Sequence, residues 1–138
     1  MKPEIPFFIS VDDRGYLKYH LQTMREMFSV TLFGVAQPGL IALEKEVYPA
    51  VFVHWRNAPG EMELLTSIKH DQYDRVSLEV IKRIRGIPDY QQTPILVTRT
   101  SSVSERDYLK AGATSTLDLL TTEKIEDFTD WIKRHMPK

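Results

Sequence analysis

One segment, residues 50–55, constrains the fold of this chain more than any other because it is almost uninterrupted apolar sequence. A strand with one face in water alternates apolar and polar residues, whereas a strand covered on both faces is apolar nearly throughout. Tyr48-Pro49 ends the helical pattern before the segment, since proline disfavours helical geometry in the residue that precedes it. The segment therefore predicts a central strand of a parallel sheet.

Further strands and helices are predicted on both sides of this segment. Short apolar runs predict strands at residues 7–11, 30–35, 95–98 and 116–120. Apolar residues that recur every three or four positions predict helices between the strands. These stripes are Leu17, Leu21, Met24 and Phe28; Leu40, Leu43 and Val47; Val76, Val80 and Ile84; and Ile125, Phe128 and Ile132. A short helix is predicted at residues 104–111, with Gly112 just past its end.

Strands and helices alternate strictly along the chain, and this order predicts the fold class. It favours an α/β fold, a doubly wound parallel sheet of five strands with helices on both faces and right-handed crossovers. A chain of 138 residues suits one domain with one core, so residues 1–138 are interpreted as a single domain.

Composition narrows the classes of function. The formal net charge is −1, which indicates neither a nucleic-acid partner nor an anionic membrane. The absence of cysteine excludes disulfides and a thiol nucleophile and fits a reducing compartment. The sequence lacks the apolar run of a signal peptide or a membrane span, so we expect a cytoplasmic location. It also lacks a glycine-rich phosphate loop, a nucleophile elbow and a metal-ligand cluster, so we expect no enzymatic activity.

The functional residues are expected where the predicted strands end. In a doubly wound sheet, sites form at the carboxyl ends of the strands, near the point where the winding reverses. Asp12 and Asp13 follow the first strand, and residues 55–57, 98–100 and 118–120 follow the third, fourth and fifth.

Several of these segments carry motifs of a known family. Val11-Asp12-Asp13 resembles the acidic pair of the chemotaxis-type receiver domain of two-component response regulators. Residues 48–60 resemble that family's third strand and the turn after it, residues 94–97 its fourth strand, and Ala111-Gly112-Ala113 its link into the fifth strand. The resemblance covers nearly the full length. It implies a flavodoxin-like fold with strand order 2-1-3-4-5 and a role in phosphorelay-type signal transduction.

The resemblance also assigns the positions of the family's phosphotransfer site, and most of them hold other residues here. Asp12 and Asp13 match the acidic pair, whereas counting back from Pro59-Gly60 puts Trp55 at the phosphoacceptor aspartate. The other departures are Arg99 in place of a threonine or serine, Thr100 in place of a small residue, Thr116 in place of the switch aromatic, and Leu119 in place of a lysine. An indole cannot accept a phosphoryl group, and two carboxylates alone make a poor cage for Mg²⁺. The resemblance therefore implies a degenerate pseudo-receiver without a metal or other cofactor, in which the acidic pair is a remnant.

Two residues near this site leave alternatives open. The guanidinium of Arg99 either pairs with Asp12 or Asp13 and packs over Trp55, or it points into solvent. A one-residue slip of the count would put His54 at the acceptor position instead of Trp55. Strand periodicity opposes the slip, because it places His54 on the opposite layer as a hydrogen-bonded core residue.

An insertion is predicted at about residues 61–74, beside the degenerate site. Long loops in compact domains are usually functional or mobile. The apolar residues in it either dock over the site as a lid, give a partner an apolar contact, or only extend the next helix; they are Met62, Leu64, Leu65 and Ile68.

The resemblance further implies a protein-interaction face made by the fourth helix, fifth strand and fifth helix. The candidates combine mixed charge with aromatic side chains, which is typical of interfaces. They are Arg106, Tyr108, Lys110, Lys124, Asp127, Trp131 and Arg134. The alternatives are a solvated helix face for each charge and a core position for Trp131. Binding of a signalling partner or homodimerisation would both use this face.

Three functions are consistent with these observations. The first, which we favour, is an atypical receiver that lacks the phosphoacceptor aspartate and acts as a phosphorylation-independent protein-interaction module. The second is a receiver phosphorylated on a non-standard residue. The third is a sensor that binds a small or quinone-like molecule at the degenerate site.

Overall fold

The computed structural model describes residues 2–58, 73–99, 105–122 and 124–137, with the backbone alone at Tyr73. The predicted insertion at residues 61–74 lies outside the described residues except at its end, where Tyr73 and Asp74 belong to a helix. Its four apolar residues and Thr100 also lie outside them.

Five strands and five helices alternate through the described residues. The strands are β1 (Glu4–Phe8), β2 (Ser29–Phe33), β3 (Val51–His54), β4 (Ile95–Arg99) and β5 (Ser115–Asp118). The helices are α1 (Lys18–Met27), α2 (Ala36–Lys45), α3 (Tyr73–Gly86), α4 (Glu105–Ala111) and α5 (Ile125–His135). Short 3₁₀ turns lie at Val11–Asp13 and Pro88–Tyr90. All strand pairs are parallel, in the order β2-β1-β3-β4-β5, which confirms the predicted fold class and strand order.

The sheet separates two apolar layers. One lies against α2, α3 and α4, and the other against α1 and α5. Strand β3 is buried along its whole length, as its apolar sequence predicts, and Val53 and Phe52 belong to opposite layers. A fully buried side chain of this size stabilises the fold by about 1.5–3 kcal/mol.

The first strand lies earlier in the sequence than predicted. It covers Glu4–Phe8, and residues 11–13 form a 3₁₀ turn instead of continuing the strand. Pro6 is tolerated because it pairs with Thr31 of β2 at a point where β1 has no partner on β3, and a proline costs no ladder hydrogen bond on an open side. The acidic pair therefore lies in a turn at the carboxyl edge of the sheet.

Two residues of the predicted interaction face are in the core. Tyr108 is 0% exposed and Trp131 is 4% exposed, and the Trp131 indole Nε1–H donates to Ser115 Oγ at 2.8 Å. The surface placement of Tyr108 was wrong, and the core alternative for Trp131 is confirmed, because their side chains fill the two layers beneath α4 and α5. Arg106, Lys110, Lys124, Asp127 and Arg134 are exposed.

Within the described parts of the chain, no helix is long and apolar enough to cross a membrane.

Candidate functional site

Asp12 and Asp13 both belong to the 3₁₀ turn that follows β1, but they differ in exposure. The Asp13 N–H donates to the Ser10 carbonyl at 3.0 Å, which fixes the turn. Asp13 is 6% exposed, whereas Asp12 is exposed. Only Asp13 is therefore held inside the edge of the sheet.

His54, the last residue of β3, is the residue that approaches Asp13. Its Nε2 lies 3.8 Å from Asp13 Oδ2, and its Nδ1 is 2.8 Å from Thr98 Oγ1. The second contact follows from strand register, since His54 and Thr98 are partners in the β3–β4 pair. His54 is thus a hydrogen-bonded core residue, as expected, but it lies on the side of the sheet that holds Asp13.

The residue of β3 that approaches Asp13 is therefore His54, and not Trp55, where the residue count put the phosphoacceptor position. Trp55 packs against the layer of α2, α3 and α4. Residues 55–58 leave the sheet toward β2, and the Ala36 N–H donates to the Ala58 carbonyl at 2.8 Å. The residue count back from Pro59-Gly60 does not show how the loop leaves β3. It therefore could not identify which residue of β3 lies beside Asp13.

Burial sets the charge of the two central groups. Burial lowers the pKa of His54 to about 3, and electrostatic interactions with His20 and Arg56 lower it further. A carboxylate nearby favours imidazolium, but 3.8 Å is too long for a hydrogen bond and burial dominates, so His54 is neutral at pH 7. Burial also raises the pKa of Asp13, with Asp12 adding to the rise and Arg56 opposing it.

Arg99 pairs with a different carboxylate from the predicted one. Its Nη2 lies 3.9 Å from Asp118 Oδ2, and its Nε–H is 3.4 Å from Thr116 Oγ1. The pairing follows from the sheet, because Arg99 and Asp118 are register partners in β4 and β5. Neither alternative given for Arg99, an ion pair with Asp12 or Asp13 or a side chain in solvent, describes these contacts. The guanidinium whose charge acts on Asp13 is that of Arg56.

A buried polar network anchors the end of β3 to α3. The Asn57 amide donates to the His54 carbonyl at 3.0 Å and to Ser77 Oγ at 2.9 Å, and Ser77 Oγ donates to the same carbonyl at 2.9 Å. Asn57 and Ser77 are both 0% exposed. Sequence reasoning missed Ser77, and a polar residue between Val76 and Val80 on a helix was the available signal.

A cavity of about 430 Å³ opens beside Asp13 at this edge of the sheet. Its walls include three of the residues singled out from the sequence, Asp13, Trp55 and Leu119, together with His54. The remaining lining residues are Tyr16, Leu17, His20, Arg56 and Leu120. Arg99 and Thr116 lie on the neighbouring strands, where Arg99 binds Thr116 and Asp118.

The residues at this edge do not fit a magnesium site. Mg²⁺ requires near-octahedral oxygen ligands. Here one buried carboxylate faces an imidazole, the second carboxylate is exposed, and Thr98 Oγ1 is bonded to His54. Across the described ranges, no cluster of three or more His, Cys, Asp or Glu residues could hold a metal ion.

Comparison with known proteins gives the fold. No family model and no curated protein matches the sequence. The receiver domain of sensor histidine kinase PA1611 from Pseudomonas aeruginosa, with a magnesium ion coordinated in its active-site cleft, is 15% identical over 98% of both chains, with a TM-score of 0.69. The chemotaxis response regulator CheY4 of Vibrio cholerae is 18% identical over 99% of this chain and 100% of that one, with a TM-score of 0.67.

A third solved structure has the same architecture. The response regulator TrrA of Thermotoga maritima, in complex with Mg²⁺-BeF, is 18% identical over 99% of this chain and 100% of that one, with a TM-score of 0.66. The chain therefore has the fold of response-regulator receiver domains, and the matches cover 98–99% of it.

Proposed function

We propose that this chain is an atypical receiver domain of a signal-transduction protein, and that it acts as a protein-interaction module without being phosphorylated. The observation that carries the proposal is the neutral, buried His54 at the end of β3, in the place that faces Asp13. The receiver fold supports a signalling role, because the solved structures that share it include response regulators.

Phosphoryl transfer to this site would need three groups. A nucleophile must be accessible, a divalent cation must neutralise the transferring oxygens, and a fixed cation must hold the product. His54 is 3% exposed and its Nδ1 is bonded to Thr98. Its Nε2 is directed at Asp13, whose carboxylate would repel an incoming phosphate. Leu119 lines the cavity at the position that the resemblance assigns to the family's lysine, and the cation in the cavity wall is Arg56, whose charge already acts on Asp13. These contacts also argue against a phosphohistidine.

The proposed interaction face is the exposed surface of α4, β5 and α5, without the two aromatic residues. The five other predicted residues remain exposed there: Arg106, Lys110, Lys124, Asp127 and Arg134. Five further charged residues are exposed beside them: Glu105, Asp107, Glu126, Asp130 and Lys133. A partner in a signalling pathway, or a second copy of this chain, would meet a surface of mixed charge.

The test combines labelling with association. Incubation with labelled acetyl phosphate and Mg²⁺ is expected to give no stable label on the chain. The sedimentation coefficient of the chain, or its affinity for the physiological partner, is expected to be the same with and without acetyl phosphate. Stoichiometric labelling, or association that depends on the phosphodonor, would refute the proposal.

The cavity favours a second function, which is sensing of a small molecule at the degenerate site. A volume of about 430 Å³ is within the range of small-molecule sites, and the cavity lies where ligands bind in doubly wound sheets. A ligand that prefers the folded state raises the thermal midpoint, so a shift across a metabolite panel tests this function.

A further inference from the structure

The cavity beside Asp13 has mainly apolar walls with a few polar atoms. Leu17, Leu119 and the Trp55 indole supply apolar surface, and the exposed side chains of Tyr16 and Leu120 line it as well. Such a surface favours a compact, largely apolar ligand whose orientation is set by a few polar contacts.

Two polar atoms of the lining residues have no hydrogen-bond partner among the described residues. They are Asp13 Oδ2 and His20 Nδ1. The Asp13 side chain is 9% exposed, so water reaches this oxygen poorly. A buried carboxylate oxygen without a donor is unfavourable, and a ligand that supplies the donor removes the penalty.

The neighbouring side chains do not supply that donor. His54 Nε2 is 3.8 Å away, beyond hydrogen-bond distance. Arg56 acts on Asp13 through its charge, yet Asp13 Oδ2 accepts no hydrogen bond. The imidazole of His20 packs edge-on against Phe128, with ring centroids 4.9 Å apart, and burial lowers its pKa, so it adds no positive charge at neutral pH.

We propose that the cavity binds a small aromatic compound carrying an N–H donor group, of the amidine or amine class, and that the donor pairs with Asp13. The inference deepens the second proposed function, on which it rests. The aromatic ring would lie among Leu17, Trp55 and Leu119, where burial of its faces contributes affinity. Charge-assisted pairing of the donor with the carboxylate would contribute specificity.

The test uses three probes of nearly equal size and shape, namely benzamidine, benzamide and benzoate. Amide and indole resonances are followed by proton–nitrogen correlation NMR on the full chain during titration. Benzamidine is expected to bind in the millimolar range and to shift the signals of His20, Trp55 and their neighbours. It is expected to bind at least ~10-fold more tightly than benzoate, with benzamide between them.

Two matched variants locate the contact. Asp13→Asn is expected to weaken benzamidine binding by at least ~10-fold, and Asp12→Asn, at the exposed neighbour, is expected to leave it unchanged. Leu119→Phe is expected to weaken all three probes, because it fills the cavity without changing its charge. Thermal unfolding of each variant verifies that it is folded.

Three results would overturn the inference: benzoate binding as tightly as benzamidine, equal effects of the two asparagine variants, or shifts confined to another surface. Preferred binding of benzoate would leave a sensor that recognises anions through Arg56. Binding of none of the probes would reject the inferred ligand class and leave the phosphorylation-independent interaction to be judged by labelling and association.

Discussion

At the residue scale, His54 makes the stability of this protein sensitive to mild acid. Its pKa is lowered from 6.5 to about 3 in the folded state, so between these values the unfolded chain binds the proton and the folded chain does not. Stability is therefore fully present above pH 6.5 and falls as the pH drops toward 3. We expect the free energy of unfolding to be about 2 kcal/mol smaller at about pH 5 than at neutral pH, measured by urea denaturation.

A variant separates this effect from those of other groups. His54→Gln keeps a polar side chain beside Thr98 but removes the titration, so most of the loss between neutral pH and about pH 5 should disappear. An unchanged loss in the variant would show that another group, such as His20, causes it.

Asp13 has the opposite dependence. Its pKa is raised above 3.8, so its ionisation destabilises the folded state; this cost develops as the pH rises from 3.8 to the raised value and is complete above it. We expect Asp13→Asn to stabilise the protein by about 1 kcal/mol at neutral pH and by less near pH 4, in urea denaturation. The exposed neighbour provides the control, since Asp12→Asn should change stability by less than about 0.5 kcal/mol. Destabilisation by Asp13→Asn would show that the carboxylate has a stabilising partner.

The sequence predicted the helices and strands, but it did not predict the direction in which single side chains point. The apolar run of β3 and the stripes of the helices report burial, and burial is what holds the two layers together. The position of His54 depends instead on how residues 55–58 leave the sheet, and the partner of Arg99 depends on the register of β4 with β5. Local hydrophobic periodicity predicts neither the position of His54 nor the partner of Arg99. Tyr108 and Trp131 were misplaced for a related reason, because an aromatic residue on a mixed helix fits either a core or an interface.

At the scale of elements, the link between α4 and β5 depends on a glycine and an arginine. Gly112 has a φ of +123°, and a β-carbon there would come within 2.5 Å of Arg85 Cγ. Arg85 donates hydrogen bonds to the carbonyls of Gly112, Tyr90 and Thr93, at 2.8, 2.7 and 2.7 Å. One side chain therefore ties the end of α3 to the segments that precede β4 and β5.

Substitution at this link should be costly. We expect Gly112→Ala to destabilise the protein by about 2 kcal/mol or more in urea denaturation, because it combines strained backbone with displacement of Arg85. The matched control is Gly86→Ala, at the end of α3, where an added β-carbon meets no atom within 4 Å. That variant should be neutral or slightly stabilising. Equal losses in the two variants would contradict the role given to Arg85.

At the scale of the whole molecule, the chain has the fold of receiver domains, and its carboxyl edge combines a buried carboxylate with an imidazole. Asp13 is held in place by the turn after β1, and Thr98 by the register of β3 and β4. At this edge His54 presents a neutral ring to Asp13, and Leu119 adds apolar surface to a cavity wall that also contains Arg56. The proposal that this site lacks its phosphotransfer groups predicts that two substitutions introduce phosphotransfer chemistry without altering the scaffold.

The double variant His54→Asp with Leu119→Lys tests this directly. It places a carboxylate facing Asp13 and a cation in the cavity, so we expect Mg²⁺ to raise its thermal midpoint and acetyl phosphate to label it at least ~10-fold above the unmodified protein. Trp55→Asp with Leu119→Lys carries the same charges one residue later. Because His54, and not Trp55, is the residue whose side chain comes within 3.8 Å of Asp13, that variant should gain neither effect. Labelling of the Trp55 variant alone would restore the residue count from Pro59-Gly60 and reject the site built around His54.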